Sequence, residues 1–192
     1  MRVGAILLLE GKLVNLRKVE KEDVDFYFAC FNQIDFWGEY THPVIEQVPK
    51  WFVTRLIDEY PNEFQKALQD NPFIIQKKDG TKIGLIFQFT NQPYGTLEFG
   101  CFLVPSERGK GYGTEATQLM VDNLFIYRNI VRIQATANVE NKAAQRILEK
   151  AGFRMEGTMR KFLFVKGVWT DYHLLSILRE EWKEPKILTK HN

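Results

Sequence analysis

The run Val104-Pro105-Ser106-Glu107-Arg108-Gly109-Lys110-Gly111-Tyr112-Gly113-Thr114 separates two stretches with different hydrophobic periods. Before it, residues 96–104 alternate with the period of two that marks a β-strand, and Pro105 ends that strand. After it, Ala116, Leu119, Met120, Leu124 and Tyr127 fall on one face of a helix running to about Arg128. A strand therefore passes into a helix through Gly109, Gly111 and Gly113. Glycine lets the backbone curl so that several N–H groups aim at one point, and a helix start adds unpaired N–H groups and the positive end of its dipole. That combination suits a phosphate or pyrophosphate, beside the plainer reading of glycines placed for turn geometry alone.

Two other glycine loops compete. The P-loop pattern G-x-x-x-x-G-K-[ST] fails, because Gly111 follows Gly109-Lys110 and Val104 stands five residues before Gly109. The dinucleotide pattern G-x-G-x-x-G/A matches at Gly111, Gly113 and Ala116. It is nevertheless parted from its strand by residues 105–110, and the first acid beyond the next strand is Glu140.

Upstream, residues 73–77, 82–89 and 96–104 read as a β-meander with turns at Asp79-Gly80 and residues 91–95. Residues 12–17 alternate as a short strand, and 21–31 carry Val24, Phe28 and Phe31 at helical spacing. Pro49 opens a second helix with Phe52, Leu56 and Tyr60 in a stripe, and an aromatic-rich loop lies between the two helices. Downstream, 130–137 reads as a strand, 140–150 as a helix closed by Gly152, and 162–165 with 168–177 as a hairpin around Lys166-Gly167. A polar tail follows Trp182. The expected order is β-α-α-β-β-β-α-β-α-β-β, and no linker, repeat or low-complexity tract divides residues 1–192, which gives one α+β (α/β) domain.

The 192 residues suffice for a core, and residues 3–9, the longest apolar run, fall short of the ~20 that a membrane span needs. Cys30 and Cys101 are too few for a disulfide framework, and His42, His173 and His191 lack metal-ligand spacing. The expectation is a cytoplasmic protein with no metal and no membrane partner. A net charge of +2 argues against bulk nucleic-acid binding. The charge is unevenly spread: residues 20–70 hold 11 acidic against 4 basic side chains, and residues 71–192 hold 18 basic against 12 acidic. An acidic front suits a cationic acceptor and a basic remainder suits an anionic cofactor, unless both are simply solvated faces.

The stretch 97–116, with its R-x-x-G-x-G core at Arg108, Gly111 and Gly113, resembles the acetyl-CoA pyrophosphate loop of the GNAT superfamily of N-acetyltransferases. Asn141-Lys-Ala-Ala144 followed by Ile147-Leu-Glu-Lys150-Ala-Gly152-Phe153 is similar to that family's second signature. Residues 157–182, with Arg160, Gly167, Asp171 and Trp182, resemble its RimJ/RimL-type branch, whose members acetylate ribosomal-protein N-termini. The resemblance covers roughly residues 12–182. It implies a single N-acetyltransferase domain whose mixed, twisted, mostly antiparallel sheet, flanked by helices, splays between its fourth and fifth strands to hold acetyl-CoA. It further implies that Leu103 and Val104 offer backbone groups to the pantetheine, that Arg108, Gly109, Lys110, Gly111, Tyr112, Gly113 and Thr114 hold the pyrophosphate, and that Asn141 lies near the reactive end. Homodimer formation is compatible with it.

The implied reaction is direct attack of an amine on the thioester in a ternary complex. Glu98, on the face opposite Leu97 and Phe99, is the expected base, with a structural ion pair as the other reading. The Val104 N–H is the expected oxyanion contact. Many relatives carry Ser at the position of Ala144 or Tyr at that of Leu148. This chain has neither, which leaves Tyr112, Tyr127, Tyr172 or water to protonate the leaving thiolate and admits a non-catalytic acetyl-CoA-binding or interaction module as the alternative. Cys101, on the face of Phe99, is expected in the core. Trp37, Tyr40 and Glu39, with Phe36, Asp35, Glu46, Trp51 and Phe52 nearby, are expected to line the acceptor site, since aromatic faces and carboxylates suit an ammonium. The acceptor is a protein N-terminal α-amine or a small amine.

Overall fold

The computed structural model describes residues 8–40, 72–89 and 95–188. Eight strands among them form one open sheet: β1 (Leu8–Glu10), β2 (Val14–Lys18), β3 (Phe73–Lys77), β4 (Lys82–Phe89), β5 (Thr96–Leu103), β6 (Arg132–Asn138), β7 (Arg154–Val165) and β8 (Val168–Leu178). They lie side by side as β1-β2-β3-β4-β5-β6-β8-β7. Every neighbouring pair is antiparallel except β5 and β6, which run parallel. The α-helices among the described residues are α1 (Val24–Asn32), α2 (Ile34–Trp37), α3 (Tyr112–Tyr127) and α4 (Lys142–Ala151).

Alternation along the strands gives the sheet two different faces. On one, Leu97 and Phe99 of β5 and Ile133, Ala135 and Ala137 of β6 pack with Leu119, Met120 and Leu124 of α3 and Leu148 of α4 to form the main core. On the other, Phe87 and Phe102 meet Phe36 and Trp37 of α2 and Cys30 of α1 in a smaller aromatic core. Centroid separations of 5.1 Å for Trp37–Phe102 and 5.8 Å for Phe87–Phe102 are those of interlocked rings.

The meander matches its sequence reading, β3 and β4 to the residue. The mixed, mostly antiparallel sheet is also as expected. Five features differ. A further strand, β1, precedes the first expected one. The aromatic segment contains a single helical turn, α2. Helix α4 starts at Lys142, because Asn141 caps it by accepting the Ala144 N–H at 3.0 Å. Strand β7 begins at Arg154, eight residues before the expected hairpin arm. The tail beyond Trp182 is less polar in its contacts than expected: Trp182, Ile187 and Leu188 pack against the main core, and the Ile187 and Leu188 amides donate to Asp122. The helix expected from Pro49, and His42, Glu46, Trp51 and Phe52, lie outside the described residues.

Candidate active site

Strands β5 and β6 are in register only at Thr96↔Arg132, Leu97↔Ile133 and Glu98↔Gln134. Beyond Glu98 they part, which leaves the C-terminal half of β5 and residues 135–138 of β6 as the two walls of a cleft of about 430 Å³. The cleft lies between the expected fourth and fifth strands. Its floor is apolar, with Phe99, Cys101, Ala144 and Leu148. Its far wall carries Asn138, Asn141 and Tyr172.

Parting the strands frees backbone groups. Val104 N–H donates to the Ile83 carbonyl at 2.9 Å, so it faces β4. Along an antiparallel ladder the direction alternates, so the register Leu85↔Phe102 and Gly84↔Leu103 turns the polar groups of Cys101 and Leu103 the other way, into the cleft. The oxyanion contact expected from Val104 is thus corrected: its amide is a ladder donor, and the amides aimed at the cleft are those of Leu103 and Cys101.

At the mouth of the cleft, Gly109 and Gly111 hold φ of +77° and +88°, a region where other residues are strained. Gly111 caps α3, and the first intrahelical bond is Glu115 N–H to Gly111 C=O at 3.2 Å. The amides of Tyr112, Gly113 and Thr114 therefore have no acceptor within the helix and point out of its positive end. Gly113 allows close packing: a Cβ there would lie 3.2 Å from Ile147 and 3.5 Å from Leu103. A nest of amides at one end, a strand-like edge of free backbone groups and an apolar floor fit an elongated thioester that carries a pyrophosphate.

The Arg108 side chain does something the sequence did not suggest. Its Nε donates to the Leu103 carbonyl at 3.1 Å, and Nη2 donates to the carbonyls of Asp35 and Phe36 at 2.6 and 2.9 Å. The Arg108 expected on the pyrophosphate is instead a strut between α2 and the end of β5, and its own N–H donates to the Pro105 carbonyl at 3.2 Å, so the amides left for the nest begin at Gly109. Lys110 pairs with Glu107 at 3.0 Å.

Glu98, Gly100 and Phe102 share the face that carries α2. Trp37 is buried against Phe102 yet lines the cleft, Tyr40 is half-buried in its wall, and Glu39 is exposed at its rim. Glu98 is half-buried where β5 and β6 diverge, and the Gln134 amide donates to it at 3.3 Å. Cys101 packs on the main core as expected, and burial pushes its thiol up to about 12, which removes it as a thiolate nucleophile near neutral pH.

Of the three tyrosines, Tyr127 is exposed at the far end of α3 and Tyr112 sits at the nest. Tyr172 alone of the three lines the cleft, opposite Asn138, with its hydroxyl donating to the Tyr40 carbonyl; burial raises its pKa. Asn141 spends its carbonyl oxygen on the α4 cap, which leaves its amide nitrogen for a ligand. His173 bonds Thr158 at 3.0 Å on the β7–β8 pair.

Residues 14–154 match the acetyltransferase (GNAT) domain model. The chain is 31% identical to the probable N-acetyltransferase YjcK of Bacillus subtilis, over 91% of this chain and 98% of that one. Spermidine N-acetyltransferase from Vibrio cholerae, solved with CoA and spermine, shares the fold with a TM-score of 0.74 at 21% identity, over 88% of this chain and 97% of that one. Ribosomal-protein-S5-alanine acetyltransferase from Vibrio fischeri does so with a TM-score of 0.73 at 24% identity, over 92% and 99%. With the cleft, the amide nest and the family match in agreement, the chain belongs to the GNAT acetyltransferase family and is an acetyl-CoA-dependent N-acetyltransferase.

Proposed function

We propose that the amine enters from the α2 face and is either a protein N-terminal α-amine, as in the RimJ/RimL-type branch, or a small-molecule amine. The observation that carries this reading is the position of Glu98, a half-buried carboxylate on the same face as Trp37 and Tyr40 and at the point where the strands diverge. Bound acetyl-CoA supplies the activated acyl group. The nest of Gly109 to Thr114 holds its pyrophosphate through backbone N–H groups, and the Leu103 amide is the donor for charge developing on the carbonyl oxygen. Glu98 takes the ammonium proton, directly or through water. The ring faces of Trp37 and Tyr40, with Glu39 at the rim, hold the cation before it loses that proton. Tyr172, the tyrosine that lines the cleft, hands a proton to the leaving sulfur once its hydroxyl lets go of the Tyr40 carbonyl. The apolar floor keeps water from the thioester.

A polyamine is the second reading of the acceptor, favoured by the likeness to spermidine N-acetyltransferases. Thiol release and product mass with acetyl-CoA, offered either spermidine or a short peptide with a free N-terminal alanine, test the proposal. The expected result is one acetyl added to the peptide α-amine, with spermidine supporting the second reading. Acetyl-CoA that binds but yields no thiol above background with either amine would overturn the acceptor assignment.

A further inference from the structure

Glu98 does not stand alone on its face. The Gln134 Nε2 donates to it at 3.3 Å; Arg132 Nε donates to Gln134 Oε1 at 3.1 Å. Arg132 also grips Glu156 with both terminal nitrogens, at 2.7 and 2.6 Å, and the Ser176 hydroxyl donates to the same carboxylate at 2.6 Å. The chain Glu98–Gln134–Arg132–Glu156–Ser176 crosses β5, β6, β7 and β8.

Its chemistry allows one orientation only. A guanidinium can only donate and a carboxylate can only accept, so an amide between them must show its oxygen to Arg132 and its N–H₂ to Glu98. A flipped Gln134 would face oxygen with oxygen and nitrogen with nitrogen. Arg132 is itself fixed by a bidentate carboxylate, the most directional of its pairings. Glu156 stays charged throughout the working range, because the hydrogen bonds from Arg132 and Ser176 hold it down at about 2. The two carboxylates thereby separate in role: Glu156 is fully engaged and a poor base, whereas among the described residues Glu98 receives one long bond, from a neutral amide, and keeps its other oxygen unbonded.

We propose that Gln134 is a positioning residue that aims the Glu98 carboxylate at the point where β5 and β6 part, and that Arg132, clamped by a Glu156 that Ser176 holds in turn, fixes the direction of its amide. The proposal rests on Glu98 as the base of the reading above. The charged members of the chain beyond Gln134, Arg132 and Glu156, neutralise each other, and the register partners of Glu98 itself are Phe89 of β4 and Gln134 of β6.

Carbon-13 titration of the glutamate carboxylates in the full-length, CoA-bound protein tests this without any acceptor. Gln134→Met keeps the bulk and removes the donor, so the Glu98 midpoint should rise by about half a unit, and Gln134→Glu, which sets a like charge beside it, should raise it by about one unit or more. Glu98→Gln identifies the resonance. In thiol-release assays with spermidine and with the alanyl peptide, Gln134→Met should lower kcat about tenfold and carry the acid limb of the pH profile upward with that midpoint, while acetyl-CoA affinity by calorimetry stays within about twofold. An unmoved Glu98 midpoint in both folded Gln134 variants overturns the proposal. So does wild-type thiol release by Glu98→Gln, which also removes Glu98 as base. Failure of the acceptor reading looks different: wild-type protein then releases no thiol, yet the Glu98 midpoint still moves in Gln134→Met.

Discussion

Asp23 shows how much one side chain can hold. It is buried, accepts two bonds from Arg17 of β2 at 2.6 and 2.8 Å, meets Lys82 of β4 at 2.5 Å, and accepts the Glu20 amide at 2.9 Å. Burial alone would raise its pKa, but the bonds from Arg17, Lys82 and Glu20 outweigh that and leave it at about 2 against an ordinary 3.8. A carboxyl whose folded value is depressed contributes stability that is fully present above its unfolded value and lost as pH falls through the folded one. The group should therefore contribute about 2 kcal/mol at neutral pH, lost between about pH 4 and 2, and urea unfolding across that window should show it. Asp23→Asn leaves two cations facing a neutral amide in a buried site. It should cost about 3 kcal/mol at pH 7 and flatten the acid dependence. A mutant as stable as wild type would mean that Arg17 and Lys82 find water instead.

At the scale of elements, the β7–β8 hairpin separates what was legible in the sequence from what was not. The turn was legible: Lys166 and Gly167 hold φ of +49° and +85°, the type I′ geometry that a glycine in a two-residue loop signals. Lysine is a poor occupant of its first central position. Lys166→Asn should stabilise the hairpin by about 0.5–1 kcal/mol and raise Tm by roughly 2 °C; an unchanged or lower Tm would show that the turn does not limit stability. The long arm was not legible. Residues 154–161 pair only with β8 at the sheet edge and are mostly exposed, so no apolar alternation announced a strand, and Lys161, at φ +48°, breaks the register near the middle of the arm. The same division runs through the site. The nest was readable because left-handed backbone asks for glycine at fixed spacing. The Arg108 strut was not, since its partners are carbonyls that any residue could supply. Nor was the network around Glu98, whose bonds span 36, 24 and 20 residues and exist only through cross-strand register.

For the molecule as a whole, the weak point of the sheet is also its purpose. Three register pairs join the β1–β5 half to the β6–β8–β7 half, and helix α3 ties the halves from behind. Glu115 of α3 accepts the Leu13 and Val14 amides at the start of β2, at 2.6 and 3.1 Å. At the other end of the helix, Arg179, just past β8, donates to the carbonyls of Phe125, Arg128 and Ile130 at 2.9, 2.5 and 2.6 Å. A ligand laid along the cleft adds a further tie between walls that the backbone leaves open, so binding should appear as global stability. At free acetyl-CoA one hundred times its Kd, linkage gives about 2.7 kcal/mol, which for a chain of this size raises Tm by roughly 5–10 °C. NADH at the same concentration should give no shift. Gly111→Glu sets a carboxylate in the nest and a Cβ at φ +88°, so the shift above its own unliganded Tm should vanish. If that variant keeps the wild-type shift, the pyrophosphate is held elsewhere and the glycines serve only to pass β5 into α3. If NADH shifts Tm as far as acetyl-CoA does, the cleft selects for a pyrophosphate and not for the thioester arm.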